Sequence, residues 1–317
     1  VELTDQRFAA WDPHDREGSL RASAIHDTDV LPALSLVYRV NRNSNTRFGI
    51  SKTLARPQLR EISPFYSTSA ISELPTQGNP DLKLTKILNA DLRFETFPTL
   101  REVLAFSFFY KHFTDPIEDI ILPGGNAGIN NYANAPGADL IGLELEARKN
   151  LGLLTPTLQG FTLIGNVTLA DSRVDLGDEA GTATNPSRPM SYQSPYVLNF
   201  SVDYEREASG TNLRVLYWTQ GPRITRVGST GVPDVYEMPR HLVDVTASQK
   251  LGKAFELKLT IQNLLSSDVV FAQKGAREYR QISADDGTST YQYVGSDPVT
   301  YRYDPGTLFD LQVSYTY

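Results

Sequence analysis

Hydrophobic and polar residues alternate with a period of two along most of this chain, which is the pattern of β-strands with two unlike faces. The clearest case is the last nine residues, where Phe309, Leu311, Val313, Tyr315 and Tyr317 interleave with Asp310, Gln312, Ser314 and Thr316. The same alternation predicts about ten further strands upstream. The first pair covers 33–41 and 47–55, with Leu34, Leu36, Tyr38 and Val40 on one face and the run Asn43 to Thr46 as the turn. Others follow at 88–95, 104–110, 141–148, 161–169, 198–205, 213–220, 241–248 and 255–262.

The connections sort by length. Tight ones are expected near residues 44, 98, 154, 209 and 252, and long ones over 56–81, 116–137, 174–193, 225–239 and 267–305, in strict alternation. A soluble sandwich has no reason to place its short turns at one end and its long loops at the other. A transmembrane, antiparallel, up-and-down β-barrel does, with short periplasmic turns and long extracellular loops. Strands of roughly nine to thirteen residues, tilted, also suit a hydrocarbon layer about 30 Å thick. The phase puts the C-terminus at the periplasmic end.

The polar face is charged. Glu144, Glu146, Arg148, Asp203, Glu205, Arg214, Glu256 and Lys258 all fall on it. In a dry core such groups would each cost several kcal/mol unless paired, whereas a wet or plugged lumen tolerates them. Glu144, Glu146, Arg148, Asp203, Glu205 and Arg214 are therefore expected to face the lumen or a plug, with Arg214 reaching Asp203 or Glu205 across the hairpin at Ser209.

Composition agrees without deciding. Hydrophobic residues make up 40% of 317, mean hydropathy is −0.31, and no apolar run approaches the ~18 residues a membrane helix requires. Strands that alternate apolar-out with polar-in also average to a soluble-looking hydropathy. The 16 Tyr and 14 Phe, against 2 Met, suit strands and interfacial girdles. A net charge of −7 argues against nucleic acid as a partner. Cysteine is absent, so disulfides and thiolate metal sites are excluded. Residue 1 is Val and no signal segment follows it, which reads as a cut inside a longer precursor.

Candidate chemistry is sparse. Arg56-Pro57 reads as a strand terminator and Asn79-Pro80 as a turn starter. Residues 175–182, DLGDEAGT, lack the ligand run of a calcium loop. His112 and His241 lack zinc-type partners and read as rim residues. No nucleophile elbow, phosphate loop or dinucleotide fingerprint occurs, so no catalytic residue, metal site or cofactor is expected. Trp218 stands out, because its parity turns it inward beside Gln220 and below Arg223. Its first reading is packing on the plug or on an inward-folded loop; the sharper alternative makes Trp218, Gln220, Arg223 and Arg226 the candidate ligand contacts, the indole for stacking and the arginines for anionic groups. Tyr192, Tyr236, Tyr279, Tyr291, Tyr293, Tyr301 and Tyr303 make the long loops rich in tyrosine.

Five segments, TRFGISKTLARPQLREISPF, GNPDLKLTKILNADLRFE, FFYKHFTDPIEDI, SPYVLNFSVDYE and GPRITRVGSTGVPDVYEMPRHLVDVTASQKL followed by IQNLL, resemble in order the C-terminal half of TonB-dependent outer-membrane receptors. The likeness runs over about 31–317. It implies that the predicted strands are the last half of a 22-stranded barrel, that 1–30 are the remainder of a long extracellular loop, and that the plug and first barrel half lie outside this chain. It also implies the partners: outer-membrane lipid, the missing barrel half and plug, the TonB–ExbB–ExbD complex, and an extracellular ligand of unspecified chemistry. The expected function is ligand binding by the extracellular loops and TonB-energised import. The alternative is surface adhesion, assembly or export on the same barrel. An outer-membrane enzyme is disfavoured, since no nucleophile–base pair lies on adjacent strands.

Overall fold

The computed structural model of the chain describes all residues except 12–19, 69–73, 123–127, 230, 253, 276–278, 284–288, 294–296 and 317. The side chains of 8, 10, 11, 20–23, 179, 279–283 and 289–293 are likewise outside the description. The final aromatic, Tyr317, and the side chains of Tyr279, Tyr291 and Tyr293 therefore fall outside the described residues.

One antiparallel sheet dominates. Its continuous path runs through eleven strands: Ala33–Asn41, Ser44–Ala55, Thr85–Thr96, Val103–Thr114, Gly137–Asn150, Phe161–Asp175, Tyr196–Arg206, Thr211–Gln220, His241–Leu251, Phe255–Gln262 and Leu308–Tyr315. Neighbours in space are neighbours in sequence, and the two-residue strand Ser187–Arg188 adds to the flank of Phe161–Asp175. The sheet is open, with Ala33–Asn41 at one edge and Leu308–Tyr315 at the other. Every expected strand is present at the expected place.

The faces are the inverse of a soluble sheet. Leu143, Leu145, Phe106, Phe200, Leu257, Leu259, Leu311 and Val313 are all exposed, although they are the apolar half of their strands. On the polar face the middle of the sheet is shielded, with Asn89, Glu95, Ser107 and Ser201 buried, whereas Lys258, Asp310 and Gln312 toward the open edge are exposed. Aromatic pairs close this apolar belt near the tight turns, where Phe161 meets Tyr204 at 4.8 Å and Phe255 meets Tyr315 at 5.0 Å. Near the other end, Tyr217 Oη lies 2.6 Å from His241 Nδ1, and Asp139 accepts from Tyr110 Oη at 2.6 Å with His112 Nδ1 at 2.8 Å. Both histidines are thus rim residues of the apolar face.

One turn differs from expectation. The first hairpin turns at Arg42 and Asn43 rather than over 43–46, because Ser44 to Thr46 extend the following strand against Thr96, Glu95 and Phe94. Asn41 Oδ1 accepts from the Asn43 backbone N–H at 2.8 Å, which tightens the bend.

The buried hydrophobic clusters lie at the long-loop end, mostly in the loops, with Ala138 and Val174 supplied by the ends of two wall strands. Ile120, Ala133, Ala135, Ala138, Val174 and Leu176 form one cluster; Leu74, Ile121, Ile224 and Val227 a second; Ile62, Leu82 and Tyr132 a third. The loops are not irregular. Tyr66–Ser67, Thr76–Gln77, Ile129–Asn134 and Ile117–Leu122 form one small sheet, and Arg223–Arg226, Val235–Glu237, Val269–Gln273 and Val299–Tyr303 another. Residues 1–30, expected as loop, contain the hairpin Glu2–Trp11 and Leu20–Asp29. It is fastened to the sheet by Arg56, which pairs with Glu2, and by Lys86, whose Nζ is 2.8 Å from Asp29 and 3.3 Å from Asp27. Arg56, read from the sequence as a strand terminator, also holds this hairpin.

Candidate functional site

Two polar constructions stand out, one on the barrel wall and one in the cap formed by the long loops. The wall construction follows from register. The ladder sets Arg47 opposite Arg93, and Arg93 opposite Ser107, so inward side chains from four strands meet in a row. Arg47 Nε donates to Glu95 Oε1 at 2.6 Å, Arg93 Nε to Glu95 Oε2 at 3.0 Å, and Arg93 Nη2 to Glu146 Oε2 at 2.7 Å. Arg93 Nη1 also reaches Ser107 Oγ at 3.1 Å. Alternating charges along the row offset one another, and a charged pair with both partners hydrogen-bonded is the arrangement a partly dry lumen can hold. Glu146 thus sits in a network whose other members, Arg47, Arg93 and Glu95, the sequence reading did not single out. Their parity was visible, but the register that joins them was not.

The other lumenal candidates are distributed. Asp203 and Arg214 meet directly, in a bidentate pair with Nε–Oδ1 at 2.8 Å and Nη2–Oδ2 at 2.5 Å, and Ser201 donates to the same carboxylate at 3.1 Å. Of the two partners expected for Arg214, it takes Asp203, its cross-strand neighbour. Glu205 lies two residues nearer the turn and lines an open cleft with Thr99, Asn150, Gly160 and Arg206. Glu144 stands opposite Ser107 and Thr168, and Arg148 opposite Val103 and Ile164.

Trp218 lies between Asn199 and Leu242 in the ladder, on the face that carries Arg214. Gln220 is buried and its Nε2 reaches Glu237 at 3.4 Å. Glu237 also receives both Nε and Nη2 of Arg223, at 2.9 and 2.7 Å. The structure therefore brings Gln220 and Arg223 together through a carboxylate that sequence reasoning did not include. Arg226 ends the same short strand, opposite Val235 and past a register shift. Among the other loop tyrosines, Tyr301 packs on Phe271 and Tyr303, and Tyr236 lies under Lys274 Nζ, 5.4 Å from the ring centroid.

The second construction is a buried knot in the cap. Glu118 and Arg188 are each 2% exposed and pair at 2.7 Å. Arg188 Nη2 donates to the Asp119 carbonyl at 3.0 Å, and Ser191 Oγ donates to Glu118 Oε2 at 3.0 Å. Asp119, beside them, is pushed up to about 6 by burial and by the adjacent Glu118, against the pull of Arg188. Burial also raises Tyr132 and Tyr192, with the Asp119 charge adding to both. Tyr192 is fixed with φ at +63°, its N–H donating to Ile224 O at 2.8 Å. Nothing in the local sequence marks this knot, because Glu118 and Arg188 are brought together from separate loops. Among the described residues there is no group of three or more carboxylates or imidazoles placed to hold a metal ion, and no helix long and apolar enough to cross a membrane.

Comparison with known proteins adds the following. A family model described as TonB dependent receptor-like, beta-barrel, matches residues 6–264. No curated protein matches the chain. Similar solved structures include a mutant ferric enterobactin receptor from Pseudomonas aeruginosa in complex with enterobactin, at 18% identity and TM-score 0.57, covering 93% of this chain and 42% of that one. The ferric-catecholate import receptor Fiu from E. coli K12 is similar at 15% identity and TM-score 0.60, with 99% and 40% covered. The ferric yersiniabactin uptake receptor FyuA from Yersinia pestis is similar at 15% and 0.56, with 95% and 39% covered. This chain spans about two-fifths of the length of each.

Proposed function

Because the chain belongs to the TonB-dependent receptor β-barrel family, we propose that it is the C-terminal barrel half of an outer-membrane receptor that binds a ligand with its long loops and imports it with energy relayed by the TonB–ExbB–ExbD complex. In this reading the long-loop cap is extracellular and the tight turns and C-terminus are periplasmic. Residues 1–30 belong to an extracellular loop, and 31–317 pair with a first barrel half and enclose a plug contributed from outside this chain. The observation that carries the proposal is the sorting of connections. Short turns gather at one end of the sheet, while the long loops fold at the other into a cap with its own buried core.

The polar face suits a plugged lumen. Arg47, Arg93, Glu95 and Glu146 neutralise one another, whereas Glu144, Arg148 and Glu205 present further polar groups to whatever fills the barrel. Trp218, Gln220, Arg223 and Arg226 remain the proposed ligand contacts, with Glu237 orienting Arg223. The neighbours named as receptors for ferric enterobactin, ferric catecholates and ferric yersiniabactin make iron chelates the first cargo to try.

The test is uptake of radiolabelled ferric chelates by cells expressing the complete polypeptide, with and without a functional TonB complex. Import is supported by surface binding in both strains and accumulation in the TonB-competent strain alone. Binding with no accumulation in either would favour adhesion or assembly, and accumulation independent of TonB would refute the energised mechanism.

A further inference from the structure

We propose that the knot of Glu118, Asp119 and Arg188 is a proton-operated latch, which holds the long-loop cap closed in mildly acidic surroundings and loosens it near neutrality. The argument begins with charge counting. Two adjacent carboxylates of the Ile117–Leu122 strand are both buried, and a single buried guanidinium serves them. Arg188 Nη1 is committed to Glu118 Oε2 at 2.7 Å, to Ser191 Oγ at 3.1 Å and to the Pro189 carbonyl at 3.2 Å. Its Nη2 takes the backbone carbonyl of Asp119 at 3.0 Å rather than the side chain.

The Asp119 carboxyl is left with neutral partners. Asn130 of the neighbouring strand and the Tyr192 phenol are the neutral groups that act on it, the phenol also reaching Thr225 O at 3.4 Å, and Tyr132 stands directly opposite it in the ladder. From the short helix Leu59–Ile62, Glu61 adds a like charge, while Arg60 hydrogen-bonds to Tyr132. With Asp119 ionised, the closed knot holds one more negative charge than positive; with Asp119 protonated, it is neutral. An uncompensated charge in so dry a place is unfavourable, and the cap relieves it by opening.

The sign follows from Asp119 titrating at about 6 when closed. A carboxyl raised by burial adds stability that is fully present below its unfolded value and is lost as pH rises through its folded one. Between pH 7.5 and 5 the closed-to-open ratio should rise about tenfold. Opening would move several loops together. Tyr192 N–H is bonded to Ile224 O at 2.8 Å, Thr182 Oγ1 donates to Ile121 O at 2.8 Å, and Thr184 Oγ1 to Val232 O at 2.7 Å. The latch requires no particular cargo, so it stands or falls separately from the import reading.

The test uses spin labels in the complete polypeptide, reconstituted in lipid vesicles, at Leu122→Cys and Val232→Cys. Both positions are exposed, and this chain has no cysteine of its own. The expected result is a narrow inter-label distance distribution at pH 5 and a second, longer population at pH 7.5. Asp119→Asn should give the narrow distribution at both. Glu118→Gln, which frees Arg188 for Asp119, should move the transition to lower pH. A parent distribution identical at the two pH values, a pH response that survives in Asp119→Asn, or a transition unmoved in Glu118→Gln would each overturn the proposal.

Discussion

Substituting Leu143 by arginine tests the assignment of the two faces at the point where it matters most. Leu143 sits in the middle of the Gly137–Asn150 strand, paired with Phe108 on one side and Leu169 on the other. At ~3.4 Å per residue and a tilt of about 45°, this 14-residue strand rises roughly 33 Å, so Leu143 lies close to the midplane of an apolar band about 25 Å tall. The side chain is 38% exposed on the apolar face. Full burial of a leucine is worth roughly 1.5–3 kcal/mol, so its share of lipid contact contributes about 0.6–1.1 kcal/mol. The rest of the expected ~2–4 kcal/mol is the cost of a cation at the midplane. Glu144, one residue on, points to the charged face, and Glu144→Arg should cost under about 1 kcal/mol because a wet lumen hydrates it. The assay is denaturant-induced unfolding of the complete barrel in lipid vesicles, comparing the two variants with the parent. If Glu144→Arg proves as costly as Leu143→Arg, or more so, the faces have been assigned the wrong way round.

Three further outcomes follow from particular contacts. Arg188→Met leaves Glu118 buried and unpaired and should destabilise the cap by about 3–5 kcal/mol, whereas Arg188→Met combined with Glu118→Leu should recover most of the loss; hydrogen exchange over 116–122 and 186–193 reads this directly. Gly142→Ala would place a Cβ 2.2 Å from the Phe109 ring and 2.7 Å from the Leu169 carbonyl, so it should cost about 1–3 kcal/mol by overpacking, measurable in the same unfolding assay, with Phe109→Ala as the relieving second change. Trp218→Ala should weaken uptake and affinity for whichever chelate the complete receptor takes, without altering barrel stability; unchanged affinity removes Trp218 from the ligand contacts.

The barrel strands were legible in the sequence because each carries its own evidence. Leu257, Leu259 and Ile261 against Glu256, Lys258 and Thr260 need no partner to be recognised, and the turns that flank them are set by local chemistry. The cap was not legible. Its strands run to two, three or at most six residues, too short to show a period, and Ile120 finds Val174 and Leu176 only after the chain has crossed the sheet twice. The lumen fell between these cases. Parity put Glu146 and Arg93 on the same face, but their contact depends on how three strands align, and alignment is a property of the folded sheet.

The location of the hydrophobic clusters gives the two ends of the molecule different thermodynamics. The barrel wall turns its apolar side chains outward, so water is excluded from them by lipid both before and after any local rearrangement of the wall. The cap hides its apolar side chains from water by folding, as a small soluble domain does, and positive heat capacity of unfolding comes from surface newly exposed to water. Calorimetry in lipid would therefore register the cap as the strongly temperature-curved component, while the wall beneath contributes enthalpy with little curvature. Cooling weakens the first and leaves the second nearly untouched, so the long-loop cap can loosen in the cold while the wall beneath it stays intact.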